Sequence, residues 1–279
     1  MGKEIEKEKW TTTTNKEWLG MQFSKFRELD NCENPAKTLT KRLKNYQQQT
    51  KSPYYRFWEI LKDCELYMTN FEKFNDIDEG RYSFTEDSDI DAQEITNDKN
   101  KRNICSFSYF EDLENLNKCQ CSETLMWAHY GNSHYGIRID FRIDPNYDGD
   151  IYKIDYNIHD KTYNINKLLL STENTDSEII NILTTKKPCF QYECEYRAIS
   201  SSTKKLPIII EKITLGRRFT KENVYSQENE EKTFEDDIKN LAKKILEVWE
   251  TGVKRGDIEP EIWAYKTRYS KEPKKVEFK

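Results

Sequence analysis

Hydrophobic positions recur along this chain in short stretches with two different periods. Ile137, Ile139 and Phe141 alternate with Arg138 and Asp140, the two-residue period of a strand buried on one face. Strands are predicted over 104–108, 136–141, 192–200 and 208–215, with a looser candidate over 151–156 and a short one over 66–69. The aromatic-dense stretch 54–58 reads as a strand or a strand entering a helix. A helical period appears elsewhere. Phe234, Ile238, Leu241, Ile245, Val248 and Trp249 form one apolar face, predicting a helix over 232–254 with acidic residues in its first turns, Lys254 and Arg255 at its end and Gly256 as a stop. Leu19, Phe23, Phe26 and Leu29 read as a second helical stripe with Trp18 beside it. Leu39, Leu43 and Tyr46 read as a short helix after Pro35, so 11–49 is predicted mostly helical, a lid on the domain. The polar, acidic run 85–102 reads as an exposed loop, Phe74-Asn75-Asp76 as a turn, and 261–279 as an edge strand through Trp263 and Tyr265.

Strands interleaved with few helices, without regular βαβ alternation, predict an α+β fold: a mixed or antiparallel sheet core with flanking helices. We divide the chain into an N-terminal helical segment (1–52), a core domain (53–220) and a C-terminal helix with a terminal strand packing on that core (221–279). The 279 residues suit one large domain or two small ones. Apolar residues are sparse at 35%, yet 6 Trp, 17 Tyr and 13 Phe supply large buried surfaces, and a net charge of -5 does not force the chain open.

No apolar run approaches the roughly 20 residues of a membrane span, so no membrane partner is expected. Residues 1–10 mix Lys and Glu without the apolar stretch of a secretory signal. Seven scattered cysteines do not resemble a disulfide framework, and a reducing cytoplasm is expected. The slight acidic excess argues against a general nucleic-acid binder.

Nine glycines form no phosphate-cradling loop, and no nucleophile elbow or His-Glu-x-x-His helix is present. Three blocks remain. The first carries Trp127, His129, Tyr130 and His134, an aromatic wall with two imidazoles able to titrate near neutrality, or a helix end and turn with Trp127 in the core. Cys119 and Cys121 upstream are off the spacing of a zinc knuckle, and no metal is expected. In the second, Glu193 and Glu195 share one face of a predicted strand with Arg197, either a buried acid pair with a raised pKa or a solvated ladder. In the third, Ser106 and Ser108 share a strand face and either hold a ribose or phosphate or cap a strand end.

Tyr55-Arg56, Phe74-Asn75-Asp76, Cys105-Ser106-Phe107-Ser108, Met126-Trp127-Ala128-His129-Tyr130, Gly136, Tyr192-Glu193-Cys194-Glu195-Tyr196-Arg197 and Ile213-Thr214-Leu215-Gly216 together resemble a bacterial domain family labelled as of unknown function. The resemblance covers about residues 54–216; Ile77 follows Asp76 where the family tends to carry Pro. It implies a cytoplasmic bacterial protein, often near mobile or defence genes, and no particular activity. In layout alone, Arg early, Ser-x-Ser in the middle and Glu-x-Glu late are similar to ADP-ribosyltransferases. That analogy implies NAD as co-substrate in a toxin or defence effector: Glu195 as the catalytic carboxylate, Glu193 presenting the acceptor, Arg56 on phosphate, Ser106 or Ser108 in support. His129, Tyr130, Trp127, Arg197 and Asn75 would complete the pocket, and the acceptor would be a protein or nucleic acid. Two alternatives stand beside it: a non-catalytic nucleotide- or protein-binding sensor serving a partner protein of a defence system, and a metal-dependent nuclease using the carboxylates with His129 and His134.

Overall fold

The computed structural model describes residues 16–27, 53–73, 92–110, 116–156, 172–219, 228–256, 258–266 and 269–278. Among the described residues ten strands form one mixed sheet: β1 (Phe23–Arg27), β2 (Glu65–Tyr67), β3 (Thr69–Asn70), β4 (Asn103–Ser108), β5 (Ile137–Ile143), β6 (Asp150–Lys153), β7 (Glu195–Ser200), β8 (Lys205–Leu215), β9 (Glu261–Ala264) and β10 (Lys274–Lys275). The main path runs β10-β9-β8-β5-β1-β4-β7-β6, with β2 on β8 and β3 on β4. Every pairing is antiparallel except β8 with β9. Five α-helices among the described residues flank it: α1 (Pro53–Asp63), α2 (Ala92–Asn100), α3 (Leu116–His129), α4 (Thr172–Leu183) and α5 (Glu228–Glu250). The α+β architecture expected from the interleaving is therefore present. Among the described residues, no helix is long and apolar enough to cross a membrane.

Strand alternation sorts the core into two layers. Phe107, Ala198, Ile137, Ile139 and Phe141 face Phe57, Trp58 and Leu61 of α1 and Leu241, Ile245 and Trp249 of α5. On the opposite face, Ile104 and Ile199 pack on Ile95 of α2 and Ile179, Ile182 and Leu183 of α4, while Phe26 packs on Met126 and Trp127 of α3. A bulge maintains the first layer. Asp140 pairs with Lys212 but Phe141 with Ile210, so Glu211 is the extra residue. The insertion keeps Ile208, Ile210, Ile213 and Leu215 all buried although their parity changes midway along β8.

The structure corrects several expectations. Phe23 and Phe26 lie on a strand, not a helical stripe: β1 pairs over five positions with β5, and Leu19 is exposed. Cross-strand burial outweighs a local spacing that suits a helix. The other members, Leu29 and the helix through Leu39, Leu43 and Tyr46, lie outside the described residues. The stretch 54–58 belongs wholly to α1. Within the predicted loop 85–102, α2 forms because Ile95 and Lys99, four apart, are both buried. β7 begins only at Glu195, after a 3-10 turn over Pro188–Glu193. β9 is interior, lying between β8 and β10. The C-terminal helix begins and ends four residues earlier than its periodicity indicates, with Leu241, Ile245 and Trp249 buried as expected.

Candidate active site

β1 and β4 are neighbours that share a single paired position, Ser24 opposite Ser108, whereas β4 pairs with β7 over six. Beyond Ser24 the two strands part. Lys25 reaches across the gap, its Nζ donating to the backbone carbonyl of Ser106. The parting opens a cleft of about 1070 Å³ lined from both faces of the sheet: Ser106 and Glu195 from one, Cys105, Phe107 and the α1 residues Arg56 and Ile60 from the other.

At its floor lies an ionic cluster. Glu193 and Glu195 are buried, at 3% and 4% exposure, and Arg197 is fully enclosed. Lys186 Nζ donates to Glu193 Oε2 at 2.5 Å and to Glu195 Oε2 at 3.1 Å. Arg197 donates through Nε to Glu195 Oε1 at 2.8 Å and through Nη2 to Oε2 at 3.2 Å, while Nη1 reaches the Leu183 carbonyl. The Tyr130 hydroxyl donates to Glu193 Oε1 at 2.7 Å, and the Glu195 amide donates to the Tyr156 hydroxyl at 2.9 Å. Buried carboxylates require such partners, because an unpaired charge in this setting is prohibitively costly.

The local backbone explains how two acids meet one lysine. Cys194 adopts a left-handed conformation at φ 45, at a cost of about 1–2 kcal/mol. Glu193 is therefore the last residue of a turn and not a strand residue two positions before Glu195. The shared orientation expected from alternation arises instead by the turn folding back to Lys186.

Burial raises the pKa of Glu195; Lys186 opposes the shift and Glu193 adds to it. The Ser106 hydroxyl approaches Glu195 closely enough to favour its charged form, although its oxygen closes no well-aligned hydrogen bond. Burial disfavours the charge on Lys186, but the two carboxylates outweigh it and push its pKa up. Burial also raises the Tyr130 pKa, and Glu193 adds to the shift, so that phenol remains a donor. Lys25 is pulled down to about 8, chiefly by burial, with Arg27 adding to the shift.

Arg56, Ser106, Ser108, Tyr130, Glu193 and Glu195 all line the one cleft. Arg197 lies behind it, holding Glu195. Arg56 stands on α1 and not on an early strand, as the layout analogy would have it. Tyr130 anchors Glu193 through its hydroxyl. Two expected members are elsewhere. His129 is exposed at the end of α3, its ring 5.8 Å from that of Tyr192 and outside the cleft lining. Trp127 is core, stacked on His134 and edge-on to Phe26. Asn75 lies outside the described residues. Sequence reasoning missed Lys186, Lys25, Arg27 and Tyr156. For Lys186 a signal existed: two acids buried side by side demand a cation, and Lys186-Lys187 stands just before them.

His134 stacks on Trp127, and burial, with Arg217 and Arg218, lowers its pKa to about 4. Among the described residues, no three His, Cys, Asp or Glu side chains gather in a way that could hold a metal ion. Comparison with protein-family models, curated proteins and solved structures finds no match to this chain.

Proposed function

We propose that the cleft binds a nucleotide, with NAD as co-substrate, and that the protein is a cytoplasmic bacterial toxin or defence effector with an ADP-ribosyltransferase-like site. One observation carries this reading: an acid pair, a serine and an arginine distant in sequence line a single cleft of nucleotide size. Loss of nicotinamide from NAD breaks the ribosyl C–N bond, and the leaving ring takes the electron pair. The ribosyl carbon becomes cationic, and Glu195 is the carboxylate to stabilise it. The acceptor, a protein or nucleic-acid nucleophile, then bonds to that carbon and gives up its proton to solvent. A carboxylate accepts about four hydrogen bonds. Among the described residues Tyr130 and Lys186 donate to Glu193 and Tyr192 lies close enough to add a third bond, so capacity remains for one ribose hydroxyl or acceptor group.

The test is nicotinamide release from NAD by the full chain. Wild type is expected to release it, and Glu195→Gln to slow release by about 100-fold or more. Undiminished release by that variant overturns the assignment. A binding module without turnover is favoured by a different observation: Lys186 and Arg197 already neutralise both carboxylates. NAD binding with no nicotinamide released would select that reading.

A further inference from the structure

Several of the cations lining the cleft have partners. Lys186 is committed to the acid pair, and Lys205 to Glu65 at 2.6 Å. Arg27 and Arg56 are different: among the described residues neither forms an ion pair, and the buried Nε of Arg27 has no hydrogen-bond partner. Arg27 is the last residue of β1, on the strand face that carries Lys25, and the charge of Arg56 is felt at its guanidinium. Lys25 adds a third positive group at the gap between β1 and β4. Against these stand Glu59, one turn from Arg56 on α1, and Asp63, which lies 3.9 Å from Lys205. The acids at the other end are already neutralised.

Burial of one guanidinium within the field of a second is unfavourable by itself. The arrangement is favourable once an anion with two separate charged groups lies across it. Guanidinium groups match phosphate oxygens with paired, charge-assisted donors. We infer that Arg27, Arg56 and Lys25 form a seat for the diphosphate of the ligand, at the gap between β1 and β4. The ligand then lies across the parted strands, its diphosphate on the arginines and its hydroxyl-bearing end toward Glu193 and Glu195. The seat rests on the cleft being a ligand site, and not on ribosyl transfer.

The experiment is calorimetric titration of the full chain with inorganic diphosphate and, separately, with orthophosphate. Wild type is expected to bind diphosphate, and more tightly than orthophosphate. Arg56→Gln, on an exposed helical position, and Arg27→Gln, with its fold checked by thermal melting, should each weaken binding at least about tenfold. No binding by wild type, equal affinity for orthophosphate, or unchanged affinity in Arg56→Gln overturns the assignment. Diphosphate carries no glycosidic bond, so its binding by a protein that releases no nicotinamide would keep the seat and overturn the transfer reading alone.

Discussion

Lys186 has its terminal nitrogen within hydrogen-bond reach of both Glu193 and Glu195, with its side chain 8% exposed. Removing it leaves two buried carboxylates, only one of them still paired with Arg197. Lys186→Met is therefore expected to destabilise the protein by about 3–5 kcal/mol, and Glu193→Gln in the same chain to restore part of the loss by removing one uncompensated charge. Chemical denaturation of both variants checks this; equal stability of Lys186→Met and wild type contradicts it. The two acids, the two serines, Tyr130 and Arg56 were legible in the sequence because each stands in a compact block of unusual composition. Arg27 was not, because an arginine in a chain with 45 lysines and arginines carries no local mark, and Lys186 is signalled only indirectly, by the cation that two adjacent acids demand. His129 was marked by its neighbours and yet stands at a helix end outside the cleft.

At the scale of elements, β1 decides the site, since its parting from β4 opens the cleft and its last residue is Arg27. Its position depends on Gly136. A Cβ there would lie 2.1 Å from the Arg27 backbone oxygen, a clash that only movement of the strand relieves. Gly136→Ala is expected to cost about 1–3 kcal/mol and to weaken diphosphate binding along with it, read by thermal melting and titration. Unchanged melting would mean that β1 is not held there. β1 was misread as helix because Phe23 and Phe26 satisfy a three-residue spacing as well as burial on opposite sheet faces. A five-residue strand offers too few positions to separate the periods. β5 was legible because its alternation runs unbroken from Ile137 to Ile143. The bulge at Glu211 shows in the sequence only as three consecutive isoleucines followed by two charges.

Across the whole molecule, one sheet carries opposite chemistry on either side of a single opening: an acid pair under α3 and α4, and on and beside α1 two arginines that form no ion pair among the described residues. The α+β class could be inferred from interleaved periods, but the placement of this opening could not, because it depends on which strands fail to pair. The central claim is that both ends of the opening act on one bound molecule. The most direct measurement is the affinity of the full chain for NAD in wild type, Arg27→Gln and Glu193→Gln. A single site is expected, weakened about tenfold or more by either substitution; NAD affinity unchanged by either one would contradict the account.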